Sequence, residues 1–277
     1  MNRSAELSSI LFVPGSRPDR FGKALASGAD LVCIDLEDAV ADGDKDAARE
    51  AALDAIAAGD ARLALRINGL ATAHGLRDLL ALREAERRPA FLFLPMVDDA
   101  SHPRIARSVL GTDAPPLVPL IETAAALRRA EEIADEPGVS ALMFGGGDLA
   151  AELGVELAWE PLAAARGRFV LAAAGRGLAL IDVPFVHIGD TAGLEREARQ
   201  ARRLGFTAKA AIHPEQVAPI RRAFAPSEEE VAEARDAIAA WRAAGGGAAR
   251  HKGRMLEAPL MRRYEATLAK VEKNQDA

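Results

Sequence analysis

Two acidic residues, Glu122 and Asp148, each follow a short apolar run of the chain, Leu117–Ile121 and Ala141–Phe144. If these runs are neighbouring strands of a parallel sheet, the carboxylates that follow them lie close together. Two ionised carboxylates repel each other at short range unless a cation lies between them, and a pair that leaves room for water and substrate oxygens suits Mg²⁺. The sequence therefore predicts a magnesium site. The alternative is that Asp148 caps a helix and Glu122 pairs with an arginine.

Arg66 and two glycines also follow apolar runs. Arg66 lies near the end of the run Leu63–Ile67, where its guanidinium can bind a carboxylate with two hydrogen bonds or stabilise an enolate oxygen. The alternative is an ion pair with an acid of the segment Asp35–Asp38. Gly146 and Gly147 stand directly before the second predicted metal ligand, and their lack of a side chain lets a substrate approach the backbone.

Three basic residues follow the first apolar run of the chain. Arg17, Arg20 and Lys23 lie within seven residues of one another, where a helix is expected to begin. A helix N-terminus and cationic side chains both attract phosphate. The cluster is therefore predicted to hold the phosphate-bearing tail of a substrate, and a solvated basic face is the alternative.

These residues can meet only if the strands before them belong to one sheet. Near-continuous apolar runs are typical of parallel strands buried on both faces, and here they alternate with Ala-, Leu-, Arg- and Glu-rich stretches of helical spacing. Eight such alternations predict a (β/α)₈ TIM barrel, whose active site lies at the C-terminal ends of the strands. The open doubly wound sheet is less favoured because the chain has no G-x-G-x-x-G turn. The predicted strands are Ile10–Val13, Leu31–Leu36, Leu63–Ile67, Phe91–Leu94, Leu117–Ile121, Ala141–Phe144, Ala179–Val183 and Ala210–Ile212.

Length and composition agree with one large domain. The 277 residues suit a barrel of roughly 250 residues with a short extension, and the 49% hydrophobic content is enough for a large core. The net charge of −6 argues against a nucleic-acid-binding protein. A single cysteine, Cys33, excludes an intrachain disulfide and a cysteine-based zinc site. No targeting or membrane segment is apparent, so we expect a cytoplasmic protein with no membrane partner.

The chain after the eighth predicted strand has a different character. We expect the barrel over residues 1–225 and a C-terminal helical arm over residues 226–277. Ser227 is the predicted N-cap of a helix that runs to Ala244, the segment Gly245–Gly247 is a predicted hinge, and a last helix runs from Pro259 to about Lys273. An isolated helix after a glycine hinge indicates a lid or a partner-docking arm, and the alternative is a helix packed on its own barrel.

Seven segments, in this order, resemble the citrate lyase β-subunit-like proteins of the acid aldolase (HpcH/HpaI aldolase/citrate lyase) superfamily, which also contains malyl-CoA and citramalyl-CoA lyases. The resemblance covers residues 10 to about 265. The segments are LFVPGSRPDRFGKAL, GADLVCIDLEDAV, KDAAR, LRING, LIETAAAL, FGGGDLAAELG and GFTAKAAIHPEQV.

The resemblance implies a (β/α)₈ barrel, Mg²⁺ on Glu122 and Asp148, and Arg66 in the substrate site. It also implies a carboxylated 3-hydroxyacyl thioester as substrate, with the coenzyme A phosphates near the basic cluster, and a homo-oligomer, a trimer or a hexamer. In such an oligomer a C-terminal segment, matched here by Gly253–Pro259, covers a neighbour's mouth. The chain departs from the family pattern at Met96, where many relatives have lysine, and at Glu257, where malyl-CoA lyases have aspartate.

The expected function is that of a Mg²⁺-dependent lyase that cleaves or forms a thioester such as malyl-, citramalyl- or citryl-CoA, with a 2-oxo acid and an acyl thioester as the other partners. Asp35 or a metal-bound water is the candidate base, and Glu257 of a neighbouring chain would protonate the enolate. Three alternatives remain: an aldolase acting on free 2-oxo acids, a malyl-CoA-type thioesterase, and a non-catalytic acyl-CoA-binding subunit. An acyl-carrier protein in place of coenzyme A also remains open.

Overall fold

Eight parallel strands close into a barrel in a computed structural model that describes residues 7–245 and 247–275. Each strand pairs with the next along the chain, and β8 pairs with β1, for example through Ile10 and Ala210. The predicted fold class is thereby confirmed. The strands are β1 Ser9–Pro14, β2 Leu31–Asp35, β3 Leu63–Arg66, β4 Leu92–Leu94, β5 Leu117–Ile121, β6 Ala141–Phe144, β7 Ala179–Asp182 and β8 Ala208–Ala211.

The interior of the barrel is filled by alternate residues of the strands, as the two-residue period of a strand requires. Phe12 of β1 meets Phe93 of β4 edge to face, with ring centroids 5.7 Å apart. Because successive side chains point to opposite faces, the residue two positions after an interior residue also faces the barrel axis. The interior cluster is Leu7, Ile10, Leu31, Cys33, Ala64, Phe91, Phe93, Val118, Leu120, Ala141, Met143, Ala179, Ile181, Ala208 and Ala210.

Helices follow the strands and cover the outside of the barrel. Several begin at a side chain that accepts a backbone N–H: Thr72, Thr123 and Asp190 do so for the helices that start at the next residue. Within the described parts of the chain, no helix has the length and apolar character needed to cross a membrane. The helices are α1 Phe21–Leu25, α2 Lys45–Ala57, α3 Ala73–Glu84, α4 Ser101–Leu110, α5 Ala124–Arg128, α6 Ala130–Ala134, α7 Gly146–Leu153, α8 Trp159–Ala172, α9 Thr191–Leu204, α10 Pro214–Phe224, α11 Glu228–Ala243 and α12 Ala258–Gln275.

A buried ion cluster lies between β7, β8 and the helices α8 and α9. Lys209 Nζ contacts Asp182 at 2.6 Å and Glu197 at 2.8 Å, and Arg166 Nε donates to Asp182 at 2.9 Å. Burial alone would raise the pKa of Asp182, but the charges of Lys209 and Arg166 outweigh it and leave that pKa lowered. Each buried charge has a partner, which is the condition under which such a cluster is tolerated in a core.

The chain divides into two compact units between Arg221 and Arg222. In the second unit, Ser227 caps α11 as expected and forms a reciprocal capping box with Glu230. Residue 246 of the predicted glycine hinge lies outside the described residues, whereas Gly245 has φ 79°.

The last helix of this unit is not isolated, contrary to the sequence-based expectation. Ala234, Ala237 and Ile238 of α11 form one apolar cluster with Met261 and Tyr264 of α12. An unpredicted antiparallel hairpin also precedes α12, formed by β9 Ala249–His251 and β10 Arg254–Leu256.

Candidate active site

Three of the predicted site residues meet at the C-terminal mouth of the barrel because of strand alternation. Asp35, Arg66 and Glu122 stand two positions after the interior residues Cys33, Ala64 and Leu120, so all three face the barrel axis. They line a cavity of about 410 Å³ together with Asp38 and Asp148.

Arg66 is surrounded by acids of the segment that follows β2. Its Nε and Nη2 donate to the two oxygens of Asp35 at 2.7 and 2.6 Å. Its Nη1 lies 2.7 Å from Glu37 and 3.4 Å from Asp38. The ion pair with this segment, which the sequence left as an alternative, is therefore present. It does not exclude a role at the substrate, because the same guanidinium lines the mouth.

Asp35 is better placed to orient Arg66 than to act as the base that was predicted. Besides the two bonds from Arg66, one of its oxygens accepts Glu37 N–H at 2.9 Å and the other accepts Ala39 N–H at 3.3 Å. Both oxygens thus already accept two hydrogen bonds each, and a carboxylate can accept about four.

Glu37 is a site residue that the sequence reasoning passed over. Its Oε2 is buried and, among the described residues, makes no hydrogen bond despite its closeness to Arg66. Burial raises the pKa of Glu37 to about 8; Arg66 opposes the rise and the charge of Glu122 adds to it. The alternation of side chains could have identified it, because Glu37 stands two positions after Asp35 and is therefore expected on the same face.

Glu122 is 4% exposed and is held by the backbone of the β4 end. Its Oε2 accepts Met96 N–H at 2.7 Å, and Met96 adopts φ 49°, which is unusual for a residue with a side chain. Burial raises the pKa of Glu122 to about 7, and the charge of Asp148 adds to the rise. Gly145 lies under the Glu122 side chain, so that a Cβ at position 145 would overlap with it.

Asp148, in the first turn of α7, also has a raised pKa. Burial and the charge of Asp38 raise the pKa of Asp148, while Arg66 opposes the rise. The structure thus places Glu122, Asp148 and Asp38 in one cavity.

These residues fit a magnesium ion. Across residues 7–245 and 247–275, no group of three or more His, Cys, Asp or Glu side chains is arranged to hold a metal ion. Mg²⁺ usually keeps several waters and takes only one or two carboxylates from a protein. Glu122 and Asp148 line one cavity and would supply such oxygens; their role as metal ligands stays a prediction.

The predicted substrate glycines differ from each other. Gly147 lines the cavity and has open space around it. Gly146 is enclosed by side chains, because a Cβ there would lie 3.1 Å from Phe144 and 3.2 Å from Val183. A contact between Gly146 and substrate stays a prediction, but the packing alone explains this glycine.

Arg17, Arg20 and Lys23 are not among the residues that line the cavity. All three are exposed, and Arg17 donates two hydrogen bonds of 2.9 and 2.7 Å to Asp19. Glu257 is exposed in the second unit, at the residue before α12. Their contacts with a thioester tail and with a neighbour's mouth stay predictions.

Comparisons with known proteins agree on one family. A family model described as "HpcH/HpaI aldolase/citrate lyase" matches residues 8–214, and one described as a C–C bond lyase of the TIM-barrel fold matches residues 162–270. The L-malyl-CoA/beta-methylmalyl-CoA lyase of Cereibacter sphaeroides is 35% identical over 95% of this chain and 93% of that protein. The citrate lyase subunit beta-like protein of Mycobacterium tuberculosis is 36% identical over 98% of both chains.

Solved structures give the same result. The CitE protein of Mycobacterium tuberculosis, in complex with magnesium, acetoacetate and coenzyme A, is 35% identical to this chain. It covers 97% of this chain and 98% of its own, with a TM-score of 0.86. A structure described as the citrate lyase beta subunit of the same organism, complexed with oxaloacetate and magnesium, is 36% identical over 82% of this chain and 100% of that chain, with a TM-score of 0.71.

Proposed function

Since the chain belongs to the HpcH/HpaI aldolase/citrate lyase family, we propose that it is a Mg²⁺-dependent carbon–carbon lyase acting on a coenzyme A thioester. The substrate in this proposal is a carboxylated 3-hydroxyacyl thioester such as malyl-, citramalyl- or citryl-CoA. The products are a 2-oxo acid and an acyl thioester. Support comes from the malyl-CoA lyase of Cereibacter sphaeroides and from the magnesium, acetoacetate and coenzyme A bound to the CitE protein.

One observation carries the proposal: a pair of carboxylates that fits Mg²⁺ shares a mouth with an arginine fixed by acids. A Mg²⁺ ion on Glu122 and Asp148 would supply Lewis acidity toward the oxygens of the 2-oxo acid. Arg66 would face the thioester and stabilise the negative charge that develops on its oxygen as the bond breaks. Asp35 would keep the guanidinium in the orientation that this requires.

The proton balance of the cleavage assigns a role to Glu257. A water at the mouth, which is the candidate base besides Asp35, would take the proton of the substrate hydroxyl. The electrons of the carbon–carbon bond would become those of a thioester enolate, and the enolate carbon would then take up a proton. Glu257 of a neighbouring subunit would deliver that proton, so the proposal includes a homo-oligomer. Arg17, Arg20 and Lys23 would hold the coenzyme A phosphates, and all three of these cations are exposed.

The direct test is release of a 2-oxo acid from malyl-, citramalyl- and citryl-CoA, followed separately from release of free coenzyme A. We expect a 2-oxo acid and an acyl-CoA to form together, and EDTA to abolish their formation. Asp148→Asn should be inactive at an unchanged melting temperature, while Asp113→Asn, a change in an exposed turn, should behave as the parent. Free coenzyme A without a 2-oxo acid would instead show a thioesterase. Activity on free 2-oxo acids alone would show the aldolase, and turnover unaffected by EDTA would contradict the metal mechanism.

A further inference from the structure

The inward-facing layer at the mouth of the barrel has a charged half and an apolar half. Interior residues Ile181 of β7 and Ala210 of β8 are followed, two positions later, by Val183 and Ile212. On β2, β3 and β5 the equivalent positions hold acids and an arginine. In a closed ring of eight strands, β7 lies across the axis from β3, so Val183 faces the side from which Arg66 projects.

Loops enlarge the apolar half. We name it the apolar wall and define it as Leu157, Val183, Pro184, Val186 and Ile212, all of which line the mouth cavity. Val186 is 46% exposed and Ile212 is 41% exposed. When an alkyl group covers aliphatic side chains that are exposed to this extent, binding becomes more favourable by about 0.8 kcal/mol for each methylene removed from water.

Buried polar groups hold the apolar wall in place. Gln216, which is 2% exposed, accepts Ile212 N–H at 2.9 Å and donates to Phe185 O at 2.7 Å. It thus joins the end of β8 to the loop after β7. Lys209 of the buried ion cluster donates to Val183 O at 2.7 Å. Because these hydrogen bonds already fix the wall, little conformational entropy is lost there when a ligand binds, and this favours binding.

We propose that the apolar wall is the subsite for an alkyl substituent on the acyl group, and that the protein prefers propionyl and longer acyl thioesters to acetyl thioesters. The inference rests on the proposed function and narrows its substrate. Malyl-, citramalyl- and citryl-CoA all release acetyl-CoA, whereas the preferred substrate would carry an alkyl group on the carbon next to the thioester carbonyl and would release propionyl-CoA or a longer acyl-CoA. Carboxylate and carbonyl groups have their partners in the charged half of the mouth. The remaining part of the acyl group is the alkyl chain, which meets the wall opposite Arg66.

Calorimetric titration of the protein with acetyl-CoA, propionyl-CoA and butyryl-CoA, without a 2-oxo acid, tests this assignment. One buried methylene corresponds to about a fourfold change in Kd, so propionyl-CoA should bind about three to tenfold more tightly than acetyl-CoA. Val186→Ser and Ile212→Ser should bring this ratio close to one. Leu171→Ser is the matched control, because Leu171 is 73% exposed on α8 and does not line the cavity; it should keep the parental ratio.

The outcomes separate this inference from the proposal on which it rests. Tight but equal binding of acetyl- and propionyl-CoA overturns the apolar subsite and leaves the lyase intact. A parental preference that survives in both serine variants overturns the assignment of these residues. Absence of binding by every thioester contradicts the proposed function itself, and the inference with it. Both variants should fold, because the substituted side chains are more than one third exposed.

Discussion

At the scale of single residues, the guanidinium of Arg66 is the group whose geometry matters most. A lysine at this position keeps a positive charge but cannot form the two parallel hydrogen bonds that now join Arg66 to Asp35. We expect Arg66→Lys to lower kcat by about tenfold or more, equivalent to about 1.4 kcal/mol of transition-state stabilisation per decade. Steady-state kinetics with a CoA thioester measures this. A raised KM at unchanged kcat would mean that Arg66 binds the ground state equally well.

The carboxyls of the mouth make the stability of the metal-free protein depend on pH. The pKa values of Glu122 and Glu37 rise from an ordinary value of 4.5 to about 7 and about 8, chiefly through burial. An acid with a higher pKa in the folded state binds more protons when folded, so the free energy of unfolding falls as pH rises from about 4.5 to about 8. In EDTA we therefore expect a melting temperature several degrees lower at pH 8 than at pH 5.5.

Magnesium should reverse this trend, because the ion binds ionised carboxylates and its binding releases protons. Its stabilising effect should accordingly be larger at pH 8 than at pH 5.5. Glu122→Gln serves as the matched variant. It removes one of the two titrating groups, so the melting temperature measured in EDTA should depend less on pH than that of the parent. A melting temperature in EDTA that increases from pH 5.5 to pH 8 would contradict the assignment.

At the scale of the elements, the glycine that follows β6 leaves the space for the side chain of Glu122, a proposed metal ligand at the end of β5. A methyl group at position 145 would occupy the space of the Glu122 side chain. We expect Gly145→Ala to weaken Mg²⁺ binding by about tenfold or more while the barrel stays folded. Titration calorimetry with Mg²⁺ and far-UV circular dichroism measure the two properties. Gly147→Ala is the control, because nothing lies within 4 Å of that Cβ position; equal Mg²⁺ affinity in both variants would contradict the packing argument.

The elements that position the site were largely predictable from apolar runs, and strand parity explains why. All eight barrel strands were expected within about two residues of their observed ends, and Arg66 and Glu122 follow from the alternation along β3 and β5. The partner of Arg66 was not predictable, because three acids of the segment Asp35–Asp38 compete for it. Side-chain geometry decides among them, and that geometry depends on contacts distant in sequence.

The hairpin before α12 was missed for a different reason. Its strands contain only three residues each and do not alternate between apolar and polar side chains. The available signal was the turn: Lys252 and Gly253 both have positive φ, 46° and 79°, as a two-residue type I′ connection requires. A lysine in that conformation is uncommon, so a Lys-Gly pair predicts such a turn only weakly.

At the scale of the whole molecule, the proposal requires that one subunit completes the site of another. Asp148→Asn removes a metal ligand, and Glu257→Gln removes the acid proposed to act on a neighbouring mouth. Each variant alone should lose activity by about a hundredfold or more. Oligomers assembled from both variants should regain part of it, because some mouths then contain Asp148 and meet an intact Glu257.

Co-expression of the two variants with different affinity tags allows the mixed oligomer to be purified and assayed. Glu265→Gln, at an exposed acid of α12, the helix that follows Glu257, controls for loss of one negative charge in this region and should leave activity unchanged. A monomeric parent protein, or mixed oligomers no more active than either variant, would contradict the exchange of Glu257 between subunits.

The excess of acidic residues around Arg66 predicts the order in which the metal ion and the 2-oxo acid bind. Above about pH 8, where Glu122 and Glu37 are ionised, the carboxylates that oppose this guanidinium before any ligand enters are those of Asp35, Glu37, Asp38, Glu122 and Asp148. A negatively charged 2-oxo acid that approaches this mouth first is repelled, whereas a divalent cation is attracted. The kinetic mechanism should therefore be ordered, with the metal entering first and leaving last. In EDTA, calorimetry should detect no binding of pyruvate or oxaloacetate even at millimolar concentration, and binding should appear once Mg²⁺ is added.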